Sequence, residues 1–310
     1  MNMPQQLQGQ NYRLRGLHGV IAYLITPFDQ KGKIDTARLC ELVDRLVADG
    51  VHGIAPLGSA GLNAYLTPDE REQVIESVCS RASGRLPVIV GASGSSVEEA
   101  VRTARFAEKC GASALLAAPT SDWRLTSQEI FNFYDKLADR TTLPIMVYDT
   151  SMKSGGLMTA DELLELTKIP SVTMLKDSSA DVERLQDLLL RNDGRLEIFA
   201  GKNTFAVPAL MLGCRGWCTA APLVAPKATL ALYEAAVTKR DLQRSLDIGR
   251  ALQPLLQALV RPGLPRSLLA ALELVGRPAG ELRAPMLRVS AKDRATIAAA
   301  LDSLCQLHLD

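Results

Sequence analysis

The chain of 310 residues is 47% hydrophobic and 5% aromatic, and its 35 basic and 34 acidic residues leave a formal net charge of +1. This balance, without a long basic run, argues against a nucleic-acid partner, and no apolar stretch reaches the ~18 residues of a membrane span. Residues 1–16 are polar and lack the apolar core of a signal peptide, so we expect a flexible or partner-docking arm.

Eight short apolar runs follow the arm. They are nearly continuous in apolar character rather than alternating, which is typical of parallel strands buried on both faces. We predict strands at residues 19–26, 53–58, 87–91, 113–118, 144–148, 172–176, 196–201 and 216–219.

Helix signals lie between these runs. Asp35 precedes a predicted helix at 36–49, and a Ser or Thr three residues before a Glu predicts a capping box elsewhere. The predicted boxes are Thr67 with Glu70, Ser96 with Glu99 and Thr159 with Glu162, and the predicted helix ends are Gly50, Gly111 and Gly213.

The unbroken series of eight βα units predicts a closed (β/α)8 TIM barrel over residues 17–238. An open doubly wound sheet would more often have a Gly-rich fingerprint after its first strand, whereas this strand ends in Thr26-Pro27-Phe28. The pattern then becomes purely helical. We predict a C-terminal three-helix extension, residues 239–310, with helices at 240–260, 264–275 and 291–306 packed on the barrel or on a neighbouring subunit.

Two polar side chains, Lys176 and Tyr148, end predicted strands, where a barrel places its active site. Partial desolvation would free the Lys176 amine to attack a carbonyl, although pairing with Asp177 at the rim is the structural alternative. Lys202 is the rival lysine, but it follows a glycine that turns the chain. Tyr148 could move protons to and from a Schiff base, or it could be an interior tyrosine with a satisfied hydroxyl.

A turn of small residues, Gly58-Ser59-Ala60-Gly61, follows the second strand. Its backbone N–H groups could hold an anion such as a carboxylate, and Ser59 adds a hydroxyl. A Gly-rich loop can also serve chain reversal alone.

Metal-ligand patterns are weak in this sequence. His18, His52 and His308 form no cluster, and Cys214 with Cys218 lacks the second pair that a zinc site needs. We therefore expect no metal, and reduced cysteines in a cytoplasmic protein.

In order and spacing, these segments resemble the family of dihydrodipicolinate synthase and N-acetylneuraminate lyase, across about residues 17–304. The segments that carry the resemblance are 19–22, 26–28, 58–61, Tyr148, 172–178, Gly201, 213–219, 270–274 and 283–285. A divergent member of this family of Schiff-base aldolases is the expectation.

The resemblance implies a lyase that needs no cofactor, because a covalent imine through Lys176 is the electron sink for a carbanion at C3 of pyruvate or a related 2-oxo acid. It implies that Tyr148, relayed through Ser59, moves protons. Substrate-binding positions implied by the resemblance are Ala60, Gly61, Lys153, Gly201 and Cys218.

Several positions depart from the family pattern. The second loop Thr is Ala60, the loop Glu is Leu62, the Pro-Tyr-Tyr after strand four is Pro119-Thr120-Ser121, the Asn after the strand-five Tyr is Asp149, and the next Pro is Ser151. Lys153 replaces the Arg that holds the second substrate's carboxylate in the lysine-pathway synthase, and it lacks the bidentate fork of Arg. These changes argue against that synthase's own activity.

Two hypotheses remain. The first is an aldolase or dehydratase acting on a larger 2-oxo acid, such as a sugar acid or a hydroxyproline-derived acid. The second is a catalytically weak homologue that binds a small 2-oxo acid for regulation; intact Lys176 favours the enzyme. The resemblance also implies a homo-oligomer, a tetramer or a dimer, without a nucleic-acid or membrane partner.

Overall fold

The computed structural model describes residues 17–306, so the predicted arm at 1–16 and His308 lie outside the described residues. Eight parallel strands form one sheet there. They are β1 (Gly19–Tyr23), β2 (Gly53–Ala55), β3 (Ile89–Gly91), β4 (Ala114–Ala117), β5 (Ile145–Asp149), β6 (Val172–Asp177), β7 (Glu197–Ala200) and β8 (Gly216–Thr219). Each lies within, or extends by one residue, a predicted apolar run.

The strands curl into a nearly closed barrel. Their order is β2-β1-β8-β7-β6-β5-β4-β3, and a parallel bridge between Ile54 and Val88 joins β2 to the start of β3. The prediction of a (β/α)8 barrel is therefore confirmed.

Helices cover the outside of the barrel. They are α1 (Thr36–Asp49), α2 (Pro68–Ala82), α3 (Val97–Lys109), α4 (Ser127–Ala138), α5 (Ala160–Glu165), α6 (Val182–Arg191), α7 (Ala206–Leu212) and α8 (Pro226–Tyr233), followed by a π-helical stretch at Glu234–Lys239. The helix of 36–49 begins at Asp35, whose side chain accepts the Arg38 N–H, and it ends at Gly50 in the left-handed conformation.

The predicted capping boxes have different outcomes. Those of Thr67 and Thr159 are complete. At Ser96 the box prediction is wrong, because the Glu99 carboxylate accepts from the N–H and hydroxyl of Ser95 and pairs with Arg71. Ser96 still caps α3 by accepting the Glu99 N–H at 3.2 Å.

The C-terminal helices are α9 (Leu242–Val260), α10 (Leu264–Leu274) and α11 (Ala291–Cys305). Helix α9 packs against α8, α10 and α11, so the extension forms a layer beside the last barrel helix. In the segment before α11, Arg283 donates to both Glu70 oxygens at 2.6 and 2.7 Å, which ties the extension to α2. Across residues 17–306, no helix is both long and apolar enough to cross a membrane.

Candidate active site

The adjacent strands β5 and β6 bring Tyr148 and Lys176 to the same end of the barrel. The two residues are direct partners in the parallel register, and the next pair along it is Asp149 with Asp177. Successive side chains of a strand point to opposite faces. The register therefore places Tyr148 and Lys176 together on one face and the two aspartates together on the other.

Lys176 is only 6% exposed, and its amine lies against two aromatic rings. Its Nζ atom is 4.1 Å from the ring centroid of Tyr23 and 4.1 Å from that of Tyr148. We call Lys176, Tyr23, Tyr148 and Cys218 the lysine cluster. The rival Lys202 is exposed, so the buried amine is that of Lys176.

Tyr148 has the electrostatic surroundings of a proton-transfer group. The cation of Lys176 lowers the pKa of the Tyr148 phenol, with help from hydrogen bonding by the Ser59 and Thr150 side chains and from Lys153, while burial opposes the shift. A stabilised ionised form makes the phenolate, which is the form that accepts a proton, more accessible than in an ordinary tyrosine.

The turn after β2 places Ser59 beside Tyr148 and keeps Ala60 buried. Gly61 uses its N–H within the turn, donating to the Gly58 carbonyl at 3.0 Å, and its own carbonyl accepts from Thr26 Oγ1 at 2.7 Å. Leu62 has a φ of 58°, a left-handed conformation that a leucine rarely adopts. The loop is thus held by internal bonds in a defined shape, which is what a pre-organised anion site requires.

The aspartates that follow Tyr148 and Lys176 share one arginine. Arg184 of α6 donates to Asp149 Oδ2 at 2.6 Å and also bonds Asp177 and the Met158 carbonyl. Burial raises the pKa of Asp149, and Arg184 opposes that shift; burial acts to lower the pKa of Arg184, but the two carboxylates raise it. One guanidinium therefore joins the ends of β5 and β6 directly behind the two candidate catalytic side chains.

The remaining predicted positions lie around the lysine cluster. Cys218 is 2% exposed, and burial raises the pKa of its thiol to about 11, while Lys176 and Tyr23 oppose the shift. A Cβ atom added to Gly201 would lie 2.3 Å from Ser178 Oγ and 2.8 Å from Lys176 Cγ, so the absence of a side chain leaves room for both the serine and the lysine stem. Lys153 is half-buried and influences Tyr148 electrostatically.

The sequence predictions missed Tyr23 and Arg184. Tyr23 is the polar residue that ends β1, so the rule that selected Lys176 and Tyr148 would have found it had the strand end been placed correctly. Arg184 lies seven residues beyond Asp177, on a helix, and no local pattern marks it.

A wide cleft of about 490 Å³ lies on the helical surface, lined by residues that include Glu72, Arg102 and Arg105. Arg102 is already paired there with Asp69 and Glu72. This cleft lies on the outer helices rather than at the lysine cluster. Among residues 17–306, no group of three or more His, Cys, Asp or Glu side chains is arranged to hold a metal ion.

The sequence is similar to known proteins over nearly its whole length. The sequence model of the Dihydrodipicolinate synthetase family matches residues 16–304. The chain is 32% identical over 271 residues to a 4-hydroxy-tetrahydrodipicolinate synthase of Methanospirillum hungatei, covering 86% of this chain and 92% of the relative. It is also 32% identical over 289 residues to an uncharacterized DapA-like lyase of Halobacterium salinarum, covering 93% and 94%.

Solved structures also resemble the chain over nearly its whole length. A Pseudomonas aeruginosa protein provisionally named a dihydrodipicolinate synthetase is 34% identical with a TM-score of 0.90, covering 93% of this chain and all of that one. A dihydrodipicolinate synthase of Acinetobacter baumannii, solved with pyruvate, is 25% identical with a TM-score of 0.88, covering 94% and 100%. On the evidence of its barrel, its near full-length match and these relatives, the chain belongs to the dihydrodipicolinate synthetase family, a family of lyases.

Proposed function

We propose that the protein is a Schiff-base-forming lyase, an aldolase or a dehydratase, that acts on pyruvate or a larger 2-oxo acid. The observation that carries the proposal is the buried Lys176 amine at the end of β6, 4.1 Å from the ring centroids of two tyrosines. A lysine desolvated beside proton-transfer groups is suited to attack a carbonyl. No further cofactor is required, because the iminium itself draws electrons from the substrate.

The proposed reaction proceeds through an imine on Lys176, with Tyr148 and Ser59 moving the protons. The Lys176 amine attacks the ketone carbon C2, water leaves, and a protonated imine forms. Tyr148, assisted by the Ser59 hydroxyl, takes a proton from C3 to give an enamine. In aldol addition the C3 carbon of the enamine attacks an aldehyde, and the new C4 oxygen takes the proton that Tyr148 carries. In dehydration the C4 hydroxyl takes that proton and leaves as water. Hydrolysis of the imine then releases the product and regenerates the amine.

The substrate carboxylate is assigned to the Ser59–Ala60 turn, with Lys153 at the entrance. Backbone N–H groups of a rigid turn bind a carboxylate without a hydroxyl from Ala60. The lysine-pathway synthase reaction fits this chain less well, because Thr120 and Ser121 stand after β4 where the family has two tyrosines. Relatives are named for that reaction, but a longer 2-oxo acid fits these substitutions better.

Assembly into an oligomer is part of the proposal, since family members usually form oligomers. Trp123 and Met152 are 78% and 80% exposed in the single chain, on two loops joined by the Ser121 N–H to Lys153 carbonyl bond of 3.0 Å. Exposed large apolar side chains on neighbouring loops are typical of a subunit contact.

Borohydride trapping tests the proposed function. The protein is incubated with pyruvate or a larger 2-oxo acid and reduced, and the adduct is located by intact mass and peptide mapping. We expect an adduct on Lys176 that Lys176→Ala abolishes. Lys202→Ala is the matched control, because it removes an exposed lysine near the same end of the barrel, and it should leave the adduct unchanged.

The second candidate is a regulatory protein that binds a small 2-oxo acid without turnover. The observation that favours it is the apolar character of the turn, where Ala60 and Leu62 are buried in place of polar family residues. Failure to trap any 2-oxo acid, combined with saturable binding of the same acids by calorimetry, would establish this candidate and exclude the lyase.

A further inference from the structure

Tyr23 occupies the centre of the lysine cluster, although no sequence pattern assigns it a role. It is the last residue of β1, and its ring centroid lies 4.1 Å from Lys176 Nζ. A Cβ atom at Gly58 would lie 2.6 Å from Tyr23 Cδ1, so a glycine at the start of the turn after β2 leaves space for the ring. Two strands and a loop are thus arranged around this side chain.

The hydroxyl of Tyr23 is buried, and none of residues 17–306 is in position to form a good hydrogen bond with it. The residue is 4% exposed, its phenol oxygen lacks a partner at hydrogen-bond distance and angle, and the adjacent Cys218 thiol, which acts on its pKa, is only a weak hydrogen-bonding group. A buried hydroxyl that lacks a partner costs free energy, whereas phenylalanine would fill the same space without that cost. Packing alone therefore does not account for a tyrosine at this position.

Tyr134 shows what a purely structural tyrosine is like in this protein. It is fully buried on α4, and its hydroxyl donates to the Ala117 carbonyl at 2.8 Å. The contrast is specific: the tyrosine beside the reactive lysine has an unpaired donor, and the tyrosine in the helix–strand layer has a paired one. An unpaired donor beside the amine is available to a group that arrives with the substrate.

We propose that Tyr23 is a substrate-contacting residue whose hydroxyl donates a hydrogen bond to the C4 oxygen of an imine-held 4-hydroxy-2-oxo acid. The inference rests on the proposed function. C3 of a pyruvate enamine attacks an aldehyde carbon, so every aldol product of pyruvate has a hydroxyl at C4. This oxygen is a few bonds from Nζ, on the side of the substrate away from the carboxylate that the Ser59–Ala60 turn holds.

The environment of the phenol suits a donor rather than a base. Burial raises the pKa of Tyr23 well above its ordinary value, with further contributions from Cys218 and Tyr148. Lys176 instead lowers the pKa of Tyr148. Two tyrosines against one amine, with pKa values pushed apart, divide the work of hydrogen-bond donation and proton removal.

Reductive trapping with a matched pair of acids tests this role. 4-Hydroxy-2-oxopentanoate and 2-oxopentanoate differ only at the C4 hydroxyl, and the half-saturating concentration for adduct formation on Lys176 is measured for each. We expect the wild-type protein to favour the hydroxylated acid. Tyr23→Phe should reduce this preference by roughly 3- to 10-fold, the value of one hydrogen bond, and Tyr134→Phe should preserve it.

The outcomes separate the two proposals. A wild-type protein that traps both acids, with a preference that Tyr23→Phe leaves intact, overturns the role of Tyr23 and keeps the lyase. An equal loss of affinity for both acids in Tyr23→Phe also overturns it, because the hydroxyl would then bind the part that they share. A wild-type protein that traps neither acid overturns the proposed function and, with it, this inference.

A stability measurement provides a readout that does not depend on substrate. In the free protein, Tyr23→Phe should have a melting temperature no lower than that of wild type, because it removes an unpaired donor. Tyr134→Phe should melt lower, because it leaves the Ala117 carbonyl without its donor. A clear drop in melting temperature for Tyr23→Phe would show that the hydroxyl already has a partner and would remove the basis of the inference.

Discussion

Replacing Arg184 by methionine should destabilise the protein strongly, because two buried carboxylates depend on this one cation. Asp149 is fully buried and the Asp177 side chain is 3% exposed, and Arg184 bonds both. Methionine keeps most of the side-chain volume and removes the charge. Breaking a buried pair by removing one partner costs about 3–5 kcal/mol.

The carboxylates set an upper limit to this loss. Instead of staying charged and unpaired, one of them can take up a proton, and holding an ordinary Asp protonated at pH 7 costs about 4 kcal/mol. That cost falls by about 1.4 kcal/mol for each pH unit below 7. The variant's Asp would have a folded-state pKa above its unfolded value, so the variant loses stability as pH rises and regains it towards pH 5.

Urea unfolding at pH 5 and pH 7 measures both quantities. The control is Arg191→Met on the same helix, since Arg191 is 47% exposed and pairs with Asp161 and Asp187 at the surface, where about 1 kcal/mol or less is expected. Asp149→Asn introduced into the Arg184→Met protein should recover part of the loss. A destabilisation below about 1 kcal/mol at pH 7, or one equal at both pH values, would refute the reasoning.

Three further outcomes are expected. Glu70→Gln should lower the free energy of unfolding at pH 7, and the difference from wild type should shrink in acid. The reason is that Arg283 lowers the pKa of Glu70 to about 2, and this stabilisation is lost as pH falls through that value. Urea titrations from pH 7 downwards measure the difference, and a difference that stays constant would contradict the prediction. Gly201→Ala should reduce imine trapping, because its methyl group would lie 2.8 Å from Lys176 Cγ; unchanged trapping would show that the lysine stem can shift. Tyr148→Phe should retain the pyruvate adduct but exchange the C3 hydrogens of pyruvate with deuterium oxide roughly 10²- to 10⁴-fold more slowly. NMR follows the exchange, and equal rates in both proteins would assign proton removal to another group.

Local rules predicted most of the fold because the barrel is built from short repeated units. Continuous apolar runs identified the strands, and Thr67 and Thr159 marked helix starts through bonds within one turn. The same rules failed where the deciding contact is distant. Leu24 and Ile25 continue the first apolar run, but the chain leaves the strand at Tyr23, so the polar residue at its end was overlooked.

In the candidate site, too, local sequence rules identified some residues and missed those positioned by distant packing. Lys176 and Tyr148 could be found because each ends a predicted apolar run, one residue before the last residue of the strand, and their pairing follows from the parallel register. The contribution of Arg184 depends on how α6 packs against the ends of β5 and β6, which no spacing in the sequence encodes. The cap of the helix gives one hint, since Asp181 accepts the Arg184 N–H at 3.0 Å and fixes where the helix begins.

The alternation of side chains along β5 and β6 places the proposed catalytic residues on one face and the buried ion pairs that join the two strands on the other. Tyr148 and Lys176 face the proposed reacting centre, while Asp149 and Asp177, one residue later, face the arginine that joins the strand ends. Loops can then change, as the resemblance to the family implies for Ala60 and Thr120, without disturbing the spacing of amine and phenol. Because loops determine substrate choice in such barrels, we expect divergence in this chain to have altered which 2-oxo acid is accepted while the imine chemistry stayed with the strands.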